Sequence, residues 1–170
     1  MAAGDIKLAY AASASLTLTL ASLASDTNRL AGRASTAIDN STLKYTDILI
    51  GGKIMTGTTP VADRRIEVWA YGALNSTPLY PDAVTGTDAN TSITSANIKR
   101  GALRLIATMM VDATSNRSYS FGPVALAEVF GGVLPVRWGI FVTHDTNVNL
   151  NATAGNHFIS YTPIYSTVEP

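Results

Sequence analysis

The chain has no cysteine among its 170 residues, which removes disulfides, thiolate metal sites and cysteine nucleophiles together. Charge is scarce as well. Twelve basic and twelve acidic residues cancel, and together they make up 14% of the chain, against about 25% in an ordinary soluble domain. A surface so poor in cations is not expected to hold nucleic acid, because phosphate neutralisation scales with the number of cationic contacts. Long apolar runs are also missing, and none approaches the roughly eighteen residues that a helical membrane span requires. Near the N-terminus, Leu16, Leu18 and Leu20 alternate with Ser15, Thr17 and Thr19. Period 2 describes a strand with one wet face and not the continuous apolar core of a signal peptide. The chain is therefore expected to be unprocessed, with neither membrane nor nucleic acid as a partner.

Catalytic signatures are absent in the same way. The sequence has no G-x-S-x-G elbow, no Walker pattern and no dinucleotide fingerprint. Its two histidines, His144 (followed by Asp145) and His157, are placed at the ends of two adjacent strands. A metal site there would need a third ligand that no motif spacing supplies. Asp and Glu are scattered, and only Glu67 lies close to aromatic residues, Trp69 and Tyr71. That grouping suits a sugar, or, more simply, a cross-strand ion pair with Arg65 or Arg104. Asn40, Asn75, Asn90, Asn116 and Asn151 head N-x-Ser/Thr triplets, which carry no weight without a signal peptide. The expectation is no catalytic residue, no cofactor and no metal.

What the chain does contain is alternation. Strands are predicted over 5–10, 15–22, about 29–38, 45–55, 65–71, 103–111, 117–121, 136–144 and 157–165. Gly51-Gly52 inside the fourth marks a bulge or bend. The 103–111 run is apolar on both faces, so it is assigned to a central strand covered on each side. Arg117 to Phe121 is expected to stop at Gly122-Pro123, and a short helix over 124–130 to follow, with Pro123 at its first position and Gly131-Gly132 at its C-cap. Residues 72–98, rich in Asn, Thr, Ser and Pro, are predicted to form one long loop of functional length. The sum is a single all-β domain over 1–170, a sandwich of eight or nine strands with one short helix. Hydrophobic residues make up 46% of the chain, and with so little charge two readings stand side by side: a surface partly covered by self-association or docking, and a stable β-domain whose surface is Ser, Thr and Asn.

Two stretches, RRIEVWAYGALNSTPLYPDAVTGTD and ATSNRSYSFGPVALAEVFGGVLPVRWGIFVTHDTNVNLNATAGNHFISYTPIY, resemble the capsid decoration (cement) proteins of tailed bacteriophages, of the β-jelly-roll kind. The resemblance extends from about Asp5 to Tyr165. It implies a jelly roll, made in the host cytoplasm, that associates as a homodimer or other small homo-oligomer. Such a protein sits on the exterior of an icosahedral capsid and bridges major capsid protein subunits. Expected contacts are Ile6, Leu8 and Tyr10 on an N-terminal arm or edge strand (1–10), Leu79, Tyr80 and Pro81 in the long loop, and Asn147 and Asn149 in the 145–156 loop. The plainer role for Leu79 and Tyr80 is to pin their own loop onto the sandwich. The alternatives are a head–tail joining or tail component, or a carbohydrate-binding jelly roll.

Overall fold

The computed structural model describes residues 4–75 and 79–168. Among them are eleven strands: β1 (Ile6–Tyr10), β2 (Ala14–Ser15), β3 (Ala31–Ala34), β4 (Ile38–Asp39), β5 (Asp47–Met55), β6 (Arg64–Ala73), β7 (Ala89–Ser92), β8 (Arg104–Val111), β9 (Ser118–Ala125), β10 (Arg137–His144) and β11 (Phe158–Val168). Three short helices join them, α1 (Asn40–Leu43), α2 (Ala96–Ala102) and α3 (Leu126–Val129). One sheet has the order β1-β11-β5-β9, with β2 also on β11, and the other has the order β7-β3-β10-β6-β8, with β4 on β10.

The pairing is nested. β6 pairs with β8, β5 with β9, β3 with β10 and β1 with β11, all antiparallel. A chain paired in this way is one long hairpin, folded at residues 74–103 and rolled into two facing sheets. That is a jelly roll. Side-chain alternation then fills the space between the sheets: Ile48, Ile50 and Ile54 from β5 meet Ile66, Val68 and Ala70 from β6 and Trp138, Ile140 and Val142 from β10. Trp138 meets the ring of Tyr161 edge-on at 5.3 Å, which joins the two layers.

A second core lies on the outer face of the larger sheet. Ala34, Trp69, Tyr71 and Phe141 point away from the sandwich and are buried beneath Val84, Ile93 and Leu103. β6 and β10 are therefore covered on both faces, which explains their nearly unbroken apolar composition. Gly139 lets the Tyr71 ring lie flat on β10, since a Cβ there would stand 2.3 Å from the phenol oxygen. The phenol donates to Ser35 O at 2.6 Å.

Several expectations change. The 103–111 strand is an edge and not a central strand: β8 pairs only with β6, and Leu105 and Met110 are 47% and 57% exposed. Apolar residues on both faces look alike in sequence whether or not the outer face is covered, and the covering segment does not reach β8. Residues 16–20 lie outside any strand and end in a turn at Ala21-Ser22, although Leu16 and Leu20 enter the core as their alternation implied. β9 passes through Gly122-Pro123 and ends at Ala125, leaving the predicted helix only its last part as α3. β9 is a sheet edge, where the proline's missing N–H costs the ladder little. The 72–98 segment is not one loop: it begins in β6, contains β7 and opens α2, while 76–78 lie outside the described residues.

The Gly51-Gly52 irregularity is where predicted, with the β5–β9 register shifting between Ile50 and Gly52. A Cβ on Gly52 would meet Phe158 O at 2.3 Å, and that backbone cannot move without separating β5 from β11. Gly52→Ala is expected to lower stability by about 1–3 kcal/mol in urea unfolding. Gly155→Ala, whose Cβ meets nothing within 4 Å, should change it by less than about 0.5 kcal/mol.

Candidate interaction surface

The densest group of ionisable side chains sits on the outer face of β6. Glu67 Oε1 accepts from Arg29 Nε at 3.0 Å and Arg65 Nε at 2.8 Å, and Oε2 accepts from Trp69 Nε1 at 3.0 Å and Lys99 Nζ at 2.9 Å. Lys99 also donates to Arg29 O at 2.7 Å, and its ammonium stands 4.8 Å from the centre of the Trp69 ring. Asp145 takes the other end of Arg29 and accepts from Arg65 N at 2.7 Å. Burial pushes the Glu67 carboxyl up. Hydrogen bonds from Lys99 and Trp69 and the charges of Lys99 and Arg29 outweigh it, so Glu67 sits below its ordinary value and stays ionised. Each carboxylate oxygen of Glu67 already takes two donors, which suits a clamp better than a reacting group.

This clamp also settles where the aromatic residues of β6 lie. Trp69 and Tyr71 are buried under the 79–103 segment, so they form no platform for a sugar. Glu67 pairs with Arg65 as expected and not with Arg104, which donates to Gly101 O and Leu103 O.

The two histidines lie in different sheets, His144 closing β10 and His157 just before β11. His144 is fully buried; Nε2 lies 3.1 Å from Leu23 O and Nδ1 3.0 Å from the Thr146 hydroxyl. His157 Nδ1 accepts from Met55 N at 3.3 Å, which leaves Nε2–H to donate to Asn151 O at 2.8 Å. Among the described residues no group of three or more His, Asp or Glu is placed to hold a metal. Both histidines tie loops to strand ends. Burial lowers the His144 imidazole to about 4 and moves His157 in the same direction.

The expected contact residues are scattered over three regions. Tyr80 meets Tyr71 edge-on at 5.6 Å and covers Gly86, whose Cβ would fall 2.3 Å from its ring. It therefore pins its own segment, as the plainer reading had it. Pro81 is half-buried beside it, and Leu79 is 90% exposed. Asp88 fixes the segment further by accepting from Thr19 and Arg33. Asn147 and Asn149 are exposed at the opposite end of the sandwich, where their backbones bind Ser25 and Gly57.

The third region is the outer face of the smaller sheet. Ile6, Leu8 and Tyr10 are 76%, 65% and 63% exposed. Register places them on the same face as Val168 and Phe158, both also exposed. Beside Phe158 lies a shallow depression of about 540 Å³, lined by Leu49, Gly51, Lys53, Phe121 and Pro123 among others. Alternation makes Ile6, Leu8 and Tyr10 legible in the sequence. Phe158 was missed; it heads β11 opposite Lys53, whose ammonium stands 5.9 Å from the centre of its ring.

No family model, no curated protein and no solved structure matches this chain. Among the described residues no helix is long and apolar enough to cross a membrane.

Two expectations follow. Glu67→Gln, which leaves three cations around a neutral amide, should cost about 3–5 kcal/mol in chemical denaturation. Lys99→Met should cost less, because the carboxylate keeps both arginines. For pH, the unfolded chain protonates histidine near 6.5 whereas folded His144 resists until about 4. Its contribution is whole above about 6.5 and is lost as pH falls toward 4, by up to about 3 kcal/mol. Thermal melts between pH 7 and pH 4 should show that decline, and His144→Gln should flatten it to the smaller slope left by His157 and by the lowered carboxylates such as Glu67.

Proposed function

We propose that this chain is a structural virion protein, a capsid decoration protein that docks on the outer surface of an icosahedral phage head and bridges neighbouring capsid subunits. The observation that carries this reading is the asymmetry between the two outer faces. The larger sheet's face is closed over β3, β10 and β6 by the chain's own 79–103 segment, held by Glu67 and Lys99, and only β8 leaves Leu105 and Met110 exposed there. The smaller sheet's face presents Ile6, Leu8, Tyr10, Phe158 and Val168 to solvent. Apolar residues grouped on one face mark a contact surface more often than scattered ones do.

The jelly roll supports the same reading, since double-sheet jelly rolls are recurrent in viral shells, though a fold alone does not assign a function. A pre-ordered sandwich loses little entropy on docking. Ligation that occurs only on the assembled lattice stabilises that lattice by linkage, repeated over every copy. The lack of net charge fits contacts made by apolar and backbone groups.

Imaging of the parent virion is expected to show the sandwich repeated over the shell exterior, with the β11–β5 sheet facing capsid subunits. Density confined to one vertex would assign the chain to the tail or the head–tail joint, and absence from the particle would end the virion reading. Phe158→Asp should reduce retention on stripped heads by about tenfold or more, measured by co-sedimentation, with the free protein's melting temperature unchanged.

A further inference from the structure

β1 pairs with Ile164 to Val168 of β11, whereas β5 pairs with β11 only as far as Ile164. Beyond that point Ile6 to Ala9 and Tyr165 to Val168 form a two-stranded ribbon that runs past the rest of the sheet, roughly 13 Å at strand rise. Two strands alone are marginal in water, and three or more with an apolar face are needed for a stable sheet. The ribbon's outer face carries Ile6, Leu8 and Val168, all exposed.

The free edge has a definite polarity. Ala11 N donates to Pro163 O, and in this register Ala9 and Lys7 share that inward orientation. The N–H and C=O groups of Ile6, Leu8 and Tyr10 therefore point away from β11. Among the described residues this edge has no proline and no bulge, and its single charge, Lys7, stands on the opposite face from Ile6, Leu8 and Tyr10. β7, by contrast, is a four-residue edge of Ala, Asn, Thr and Ser, and β9 carries Pro123.

We infer that β1 is the self-association edge of this protein, pairing antiparallel with β1 of a second copy about a twofold axis through Leu8. In that register Leu8 faces its own counterpart and Ile6 faces Tyr10 of the other copy. All three outward-facing residues then form hydrogen-bonded pairs, each exchanging two backbone bonds. Apolar residues at 6, 8 and 10 match themselves about position 8, and Lys7 falls opposite Ala9 of the second copy, so no like charges are directly opposed. The two ribbons become one four-stranded sheet. This holds whether or not the chain sits on a capsid.

The contact is smaller than the roughly 1,600 Å² of a standard interface, so association depends on concentration. Sedimentation of the full chain from about 1 μM to about 1 mM is expected to show a monomer–dimer equilibrium. Leu8→Pro removes only an outward N–H and should leave a folded protein with dimerisation weakened at least tenfold. Ala9→Pro removes an inward N–H and should destabilise the fold. Leu8→Cys in this cysteine-free chain should cross-link to a covalent dimer on mild oxidation, because opposed residues of a hydrogen-bonded pair stand about 5.5 Å apart, within disulfide reach. Lys7→Cys should not. A strict monomer up to about 1 mM overturns the inference, and so does a dimer that Leu8→Pro leaves intact. If Leu8→Pro does not fold, the cross-link decides: dimer without a Leu8→Cys disulfide refutes the pairing. A monomer that binds capsids assigns β1 to a different partner.

Discussion

One buried carboxylate decides which side of this molecule is available to others. Glu67 gathers donors from three separate segments: Arg29 ahead of β3, Arg65 and Trp69 within β6, and Lys99 in α2. Desolvating that charge is expensive, and its four donors make burial tolerable. Their convergence draws α2 and the preceding residues down over Trp69, Tyr71 and Phe141. The larger sheet then has no open face except along β8. Exposed apolar side chains then lie on the opposite sheet, along β8 and, at Leu79 and Ile98, on the outside of the covering segment.

The jelly-roll path reinforces that constraint. Because the hairpin is nested, its tip at 74–103 has to emerge beside β6 and β8, next to the face it covers. A segment of similar length elsewhere would not reach Phe141. At the far end the 16–30, 56–63, 112–117 and 145–157 connections are laced together through Thr56–Leu150, Asn151–Asn116 and Asn147–Ser25. Buried His144 and His157 fasten the same end from within. That end is closed by the chain's own hydrogen bonds, which stiffens the sandwich there.

Much of this could be read from residue order, and the failures have physical causes. Alternation at Ile48, Ile50 and Ile54, and at Ile66, Val68 and Ala70, reports the inner faces directly because period 2 is a local property. Whether an outer face is covered is not local. Trp69 and Leu105 look alike in sequence, yet one is buried because Val84 and Ile93 come from far along the chain to meet its surroundings, and the other is left in water. The Glu67 cluster was half-legible for the same reason: Arg65 stands two positions away, while Lys99 is brought in by a fold that no spacing rule contains. Pro123 carries the signal of a helix start because local rules do not distinguish an edge strand, which tolerates proline, from a helical first turn. Tyr80 resolved toward its plainer role once Gly86 proved to be the floor beneath it.

Ile6, Leu8 and Tyr10 mark the point where local pattern and tertiary context disagree. Their alternation is as regular as that of β5, so by sequence alone they belong to a strand with one buried face. The fold gives that face no cover among the described residues, since β11 outruns β5 and leaves β1 on a two-stranded extension. Apolar residues in a buried pattern without burial amount to an incomplete sheet. The chain's low charge sharpens the point: with twelve charges of each sign spread over 170 residues, and several of them spent on the Glu67 cluster, little repulsion is left to keep such an edge apart from other strands. Natural sheets usually protect exposed edges, and in β1 that protection is reduced to the single charge of Lys7.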